Sequence, residues 1–389
     1  MRVRVHHTVT KRLVIAAVAM IVSSLSMMDL WERLRVTADR VGLAAIGATG
    51  ADPFEDVRVT IEERREIGLN GRLQFTSRDP ATATDVHRSF PWARTIVAAS
   101  MAYLPAAGSP GADPGSGRIA RFAVEEPYAQ LRARLEALAA LLIRAGHEAA
   151  VVADDNRLVD RAAAVRSGVG WWGKNTMVLD PKHGPWLLLG AVITDAELAP
   201  TPAMVRDCGT CSACLPACPT GALVAPGVLD ARRCLAHWAQ APGDIPVALR
   251  AAMGDRIYGC DDCLEACPPG RQLLAAAGKD NGRVDLIELL GSSDRDLRIR
   301  FGHMYIPKRN VDYLRRNALV ALGNTGTEDD ITVLAGFLDH PNRMLQRHAI
   351  WAIDAIGGAL AQSVLAAREH AATAGVEGAG RGSSGIGAA

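Results

Sequence analysis

The sequence predicts three modules in tandem: an α/β N-terminal domain, a ferredoxin-like domain for two [4Fe–4S] clusters, and an all-α HEAT-like repeat domain. Three observations predict them. All eight cysteines of the 389-residue chain lie between Cys208 and Cys267. Before them, β-branched apolar runs alternate with helical apolar spacing. After them, Tyr313–Leu322 is echoed by Met344–Ile353, 31 residues on. A charged fraction of 22% and a net charge of +1 are ordinary for a globular chain, so any basic surface must be local.

The elements follow in order. Residues 1–27 form an N-terminal extension. An apolar run over 13–28 follows Arg2, Arg4, Lys11 and Arg12, which fits a short anchor or a signal peptide. Sixteen residues with three serines are short for a membrane span, and Met20, Met27 and Met28 offer later starts, so an over-extended start codon is the favoured reading. The α/β domain spans 28–194. Leu30–Val41 is a helix ending at Gly42, and Leu43–Gly47 a short strand. Thr95–Leu104 is a buried strand and Pro105–Gly117 a loop. Tyr128–Ala145 is an amphipathic helix, Ala149–Ala153 a strand, Leu158–Ser167 a helix and Trp186–Thr194 a strand.

The cluster domain spans 195–285. Cys208, Cys211, Cys214 and Cys218 are followed by Pro219, with the spacing of bacterial two-cluster ferredoxins. The second run, Cys260, Cys263 and Cys267 before Pro268, lacks its first cysteine; Ile257 stands there, and only Cys234 is left to replace it. Because the fourth cysteine of each run crosses to the other cluster, one set is Cys208, Cys211, Cys214 and Cys267. The other is Cys218, Cys234, Cys260 and Cys263. Paired zinc sites or a disulfide framework are the alternatives, but neither needs three cysteines at spacing three before Cys-Pro. Adjacent clusters imply electron traffic in a reducing cytoplasm. His237, three residues after Cys234, is read as a packing or outer residue, because eight thiolates already suffice.

The repeat over 286–370 pairs helices at a solenoid period. A disordered tail, 371–389, is rich in glycine and small residues. Between Leu297 and Arg316 lie Arg298, Arg300, Lys308, Arg309, Arg315 and Arg316 against one acid, Asp312. This predicts an RNA-phosphate strip on Lys308, Arg309, Arg315 and Arg316. Gly168–Lys174 nearly spells a phosphate-binding loop, but Asn175 replaces the hydroxyl residue and a helix precedes it, so ATP binding is rejected. A turn with buried aromatics or a wall of a planar cofactor pocket remains.

Together these residues resemble the epoxyqueuosine reductase family. The resemblance is carried by Arg256–Cys263, Arg166–Asn175, Gly117–Phe122 and Arg316–Asn324, and runs from about Leu30 to Ile356. It implies a cobalamin held base-off between the α/β and cluster domains, with electrons from the clusters delivered to an epoxide in tRNA. The base-off/His-on motif is absent; Asp85–Phe90 only grazes it. The resemblance places cobalamin contacts at Arg78, Arg121, Gly170, Trp171, Lys174, Asn175, Ala236 and Asp261, and the proton donor at Asp154. Read alone, Asp154 suits a helix N-cap. An acid protonated near neutral pH needs a buried, apolar setting, and the neighbouring Asp155 would favour the proton too. The resemblance also implies an external donor such as a flavodoxin or ferredoxin, a monomer, and no stable membrane partner. Three departures stand out: Arg157 for a proline, Leu235–Gln240 after Cys234, and Ala191 for an acid. A reductase of another tRNA base or a small electrophile, as in reductive dehalogenases, and a plain electron-carrying ferredoxin are the competing functions.

Overall fold

A computed structural model describes residues 29–104, 115–277 and 282–379, with side chains as far as residue 370. The predicted extension over 1–27 lies outside the described residues. Helix α1 (Leu30–Val41) begins where the Asp29 carboxylate accepts the Glu32 N–H at 2.7 Å. It stops at Gly42, whose φ of 77° is left-handed. Strand β1 (Ala45–Gly50) follows, then α2 (Glu55–Glu66), α3 (Pro80–Thr84) and β2 (Thr95–Ala102). After β3 (Ser116–Ile119) come α4 (Pro127–Arg144), β4 (Ala149–Ala153) and α5 (Asp160–Arg166). A small hairpin of β5 (Trp171–Trp172) and β6 (Val178–Leu179) leads to β7 (Leu187–Thr194).

The main sheet runs β1-β2-β7-β4, and every neighbouring pair is antiparallel. Successive side chains of a strand face opposite ways. In β2, Ile96 and Ala98 pack towards Phe54, Val86 and the alanines of α5. Val97, Ala99 and Met101 pack towards Leu34 of α1 and Leu131, Leu135, Leu138 and Leu142 of α4. Both faces of the sheet are therefore covered, which is why β2 reads as a continuous apolar run.

The cluster module contains α6 (Cys214–Ala217), the hairpin β8 (Leu223–Ala225) and β9 (Val228–Leu229), α7 (Leu235–Gln240) and α8 (Val247–Met253). Then come β10 (Arg256–Tyr258), α9 (Asp262–Glu265), α10 (Arg271–Ala276) and β11 (Arg283–Asp285). The predicted loop over Pro105–Gly117 needs correcting at its end. Ser116 and Gly117 open β3, which sits between parallel β10 and antiparallel β11. A strand from the first module thus completes the sheet of the second. Residues 105–114 lie outside the described ones.

The C-terminal part is helical: α11 (Leu286–Gly291), α12 (Asp294–Arg300), α13 (Asp312–Thr325), α14 (Ile331–Ala335), α15 (Arg343–Ile356) and α16 (Gly358–Ala379). The two copies of the repeat lie in α13 and α15. They approach closely where Gly323 faces Ala352, leaving no room for a Cβ at position 323. Residues 371–379, assigned by composition to a disordered tail, continue α16; 380–389 lie outside the described residues. Among the described residues no helix is long and apolar enough to cross a membrane.

One glycine ties the α/β module to the cluster loops. Gly184, at φ 58°, lies between β6 and β7, and a Cβ there would overlap the carbonyl oxygen of Pro269, just past Cys267. Gly184→Ala is expected to lower unfolding free energy by about 2 kcal/mol through left-handed strain and this overlap. Urea unfolding checks it; an unchanged midpoint would show that the connection yields freely.

Candidate active site

The eight cysteines carry no disulfide among them. Their mutual electrostatics divides them. Cys214 feels Cys208 and Cys211, and Cys267 feels Cys208, Cys214 and Cys211. Cys234 feels Cys218, and Cys263 feels Cys260, Cys234 and Cys218 and, more weakly, Cys214. Cys263 therefore faces both groups. Burial pushes the Cys260 and Cys267 thiols up to about 12, and raises Cys214, Cys234 and Cys263. Thiols so placed resist ionisation unless cations compensate, and thiolate is the form that binds metal. At Cys218 burial also opposes the charge, but backbone N–H groups of Thr220, Ala222 and Leu223 outweigh it and lower the pKa. The Ala222 N–H donates to the Cys218 Sγ at 3.1 Å. Cys218 itself is extended, as the residue before a proline must be. This all-thiol donor set, with backbone donors aimed at sulfur, fits iron–sulfur clusters. Among the described residues no three His, Cys, Asp or Glu side chains converge as a single-ion site.

Asp154 follows β4 with φ 49°, in the left-handed region. It caps no helix: α5 starts six residues later, with Val159 at its N-cap. The capping role expected from sequence is thus excluded. The buried setting expected for it is met only in part: the residue as a whole is exposed, but its carboxyl group is partly desolvated. Its surroundings still raise its pKa, first by desolvation and then by the Asp155 charge, against Arg132. The Arg157 guanidinium, 2.6 Å from the Asp155 carboxylate, holds Asp155 ionised. So the residue replacing the expected proline sustains the charge that favours a proton on Asp154.

Three groups near Asp154 escaped the sequence reading. Asp160, whose pKa is raised by burial, feels the Asp154 charge, and so do the phenols of half-buried Tyr128 and buried Tyr258. Nothing local in the sequence marked Asp160 or the tyrosines. Ala191, by contrast, sits inside β7 opposite Ala98 and Val152 and is wholly buried. An acid there would be stranded in the core, so Ala191 lies within the strand, not after it.

The residues assigned to cobalamin divide between the module boundary and the cluster loops. Asp261 is buried, accepts the Arg121 N–H at 2.8 Å, and is pushed up to about 6 by burial. Arg121 is buried too, its guanidinium 5.9 Å from the Trp186 ring centroid. An open cleft lies beside it, lined by Met101, Tyr103, Glu125 and Gln130 among others. Tyr103 feels both Asp261 and Cys263. Trp171 is buried with Leu179 and Cys267, whereas Trp172 is 45% exposed. Gly170 passes so near the Leu179 carbonyl that no Cβ fits. Trp171 Nε1 and Asn175 Nδ2 are buried donors without a partner. Lys174 Nζ donates to the Gly209 carbonyl at 2.6 Å, in the first cysteine loop. Arg78 is exposed. Ala236 and His237 direct backbone N–H groups at Cys234. The His237 ring instead accepts the Arg72 N–H at 3.3 Å and, with its pKa lowered to about 4 by burial, is neutral. The divergent stretch after Cys234 is α7, whose Leu235, Trp238 and Ala239 pack in an apolar cluster with Val320.

The basic strip needs correction. Arg315 bonds to Asp294 at 2.7 Å and Asp312 at 2.9 Å. Arg316 is fully buried and donates to the Trp238 and Ala241 carbonyls, both at 2.8 Å, and to that of Gly243. Asn317 donates to the Ala239 and Ile257 carbonyls. Arg315 and Arg316 are thus structural, and α13 holds the backbone around Cys234 and before Cys260. Arg298 and Arg300 pair with Asp294 and Glu288, acids just outside the counted window. Lys308 and Arg309 remain exposed.

Comparison with known proteins agrees with this arrangement. Residues 207–270 match the model of a 4Fe-4S double cluster binding domain, and 84–155 match "Epoxyqueuosine reductase QueG, DUF1730". An epoxyqueuosine reductase of Bacillus cereus (strain ATCC 14579) is 32% identical, covering 82% of this chain and 87% of its own. That of Escherichia coli (strain K12) is 29% identical, covering 85% and 90%. A crystal structure of a selenomethionine-labelled epoxyqueuosine reductase aligns with TM-score 0.77 and 30% identity over 85% of this chain and 92% of that one. Another, with a tRNA-Tyr stem loop carrying epoxyqueuosine, aligns with TM-score 0.77 and 28% identity over 87% and 94%.

Proposed function

Because this chain belongs to the epoxyqueuosine reductase family, we infer that it is an oxidoreductase converting epoxyqueuosine in tRNA to queuosine. The observation that carries this is a relative's match running through both the α/β and double-cluster modules. Removing an epoxide oxygen as water consumes two electrons and two protons. The cysteines are proposed to hold two [4Fe–4S] clusters in the sets Cys208, Cys211, Cys214, Cys267 and Cys218, Cys234, Cys260, Cys263. The electrostatic grouping of the thiols supports those sets. Cys263 and Tyr103 mark the side on which the second set approaches the cleft.

Cobalamin, when bound, supplies a low-valent metal able to open an epoxide. The residues fit such a group: the partnerless donors of Trp171 and Asn175 suit the amide carbonyls around a corrin. Gly170 is proposed to meet the group through its backbone, since the place of a Cβ is taken by the Leu179 carbonyl. Arg121 and Asp261 are proposed to meet the same group from the module boundary, with Lys174 and Ala236 as outer contacts, whereas the exposed Arg78 is assigned to the RNA side instead. Asp154 holds the proton to be given up and exchanges it with solvent, to which its side chain is open. The electron supply is proposed to be an external flavodoxin or ferredoxin, and the working unit a cytoplasmic monomer. The helices from 286 onward are read as a HEAT-like unit behind the RNA surface.

Anaerobic reconstitution with iron, sulfide and cobalamin, followed by a reductant and a stem-loop RNA bearing epoxyqueuosine, tests the activity. Digestion and mass spectrometry should show the nucleoside lighter by one oxygen. No conversion by fully loaded protein would refute it. For the RNA contact, the double reversal Lys308→Glu with Arg309→Glu is expected to raise the stem-loop Kd at least about tenfold. It should also flatten the salt dependence, because each lost phosphate contact removes about one unit of slope. Arg298→Glu, whose guanidinium is already paired, is the control. Equal effects from the two would reject the assignment to Lys308 and Arg309.

A further inference from the structure

Strained backbone is concentrated in one place. Among the described residues, five non-glycine residues have positive φ: Phe75, Asp154, Thr176, Lys308 and Arg309. Four of these five are linked. The Phe75 ring meets Tyr305 edge-on, with centroids 5.2 Å apart. The Tyr305 carbonyl accepts the Tyr258 hydroxyl at 3.0 Å. Tyr258 in turn lies within electrostatic reach of Asp154. Lys308 and Arg309 follow Tyr305 in the same turn-bearing connection. Such conformations persist only where the surroundings impose them, and they gather at ligand sites.

The pair is also open. Phe75 is 45% exposed and Tyr305 is 47% exposed. Arg78, Lys308 and Arg309 are exposed around it, and none makes a side-chain hydrogen bond or ion pair among the described residues. Open aromatic faces interleaved with free cations are the surface that single-stranded nucleic acid selects: bases stack on the rings and phosphates meet the charges. A corrin lacks the phosphate repeat that three spread cations answer, and a duplex offers no free base to stack.

We propose that Phe75 and Tyr305 form a stacking platform for an unpaired nucleotide of the substrate's loop, with Arg78, Lys308 and Arg309 on its phosphates. The Tyr258 hydroxyl fixes the platform to β10, so that nucleotide is held at a set distance from Asp154. Such a platform takes a loop nucleotide, not a paired stem, and it rests on the tRNA reading above.

The test is the double variant Phe75→Leu with Tyr305→Leu, which keeps apolar bulk and the backbone carbonyl but removes both π faces. Tyr305→Phe is the conservative companion. With the epoxyqueuosine-bearing stem-loop, the double variant is expected to raise KM and Kd at least about tenfold. The kcat, iron content and cobalamin spectrum should remain as in the wild type, and Tyr305→Phe should retain wild-type affinity. Unchanged Kd in the double variant overturns the platform, as does a loss of cobalamin binding in place of RNA binding. If the wild type binds the stem-loop without converting it, the activity is refuted separately, and the Kd comparison still decides the platform.

Discussion

Asp154→Asn is expected to lower turnover by about 10²-fold or more, while both clusters, cobalamin binding and RNA affinity persist. The amide keeps the shape of the side chain but gives no proton, and positioned general acids contribute on that scale. The pH dependence has a definite sign. Desolvation raises the Asp154 pKa above the ordinary carboxyl value, so the useful protonated form survives to higher pH than in a free aspartate. Turnover should fall as pH rises through that raised value. Stability shares the sign: the contribution of this group is fully present below the unfolded pKa and is lost as pH rises through the folded one. Asp155→Asn removes the charge next door that favours the proton. It should shift the falling limb of the profile to lower pH while leaving a measurable maximum. Single-turnover rates across pH check both; a flat profile with full activity in Asp154→Asn would remove Asp154 from the chemistry.

Cys234→Ser is expected to halve the metal content, from about eight irons per chain to about four. Cys234 is the thiol that the ferredoxin pattern does not supply from its own run, and Cys263 and Cys218 lie within its reach. The surviving cluster should keep its own EPR signal on reduction, because Cys208, Cys211, Cys214 and Cys267 are untouched. Turnover should collapse with the loss of electron delivery. Two zinc ions and no iron in the wild-type chain, or full iron content in Cys234→Ser, would overturn the ligand sets.

The cluster module was legible because its chemistry is written in spacing. Four thiolates at fixed intervals before a proline are a local pattern, and so are the apolar runs of β2, β4 and β7. The basic strip misled for a physical reason: Arg298 finds Asp294 one turn back in its own helix, just before the window, Arg315 reaches the same acid from α13, and Arg316 finds a backbone carbonyl 78 residues away. Counting charge in a window cannot register such partners. The insertion of β3 between β10 and β11 was likewise invisible, since strand order across distant segments leaves no local trace. Asp154 was placed by the family resemblance, yet its left-handed backbone and its neighbours Tyr128, Tyr258 and Asp160 belong to the folded chain alone.

The bonds from Arg316 and Asn317 also set a timetable for biogenesis. The carbonyls of Trp238, Ala239, Ala241 and Ile257 are satisfied by side chains that leave the ribosome long after Cys234 and Cys260. A nascent chain ending before α13 would leave those carbonyls to water and the backbone beside the cysteines without its tether. The backbone that carries the second cysteine set is therefore completed only when α13 has docked. A chain truncated before α13 lacks the side chains that hold this segment in place.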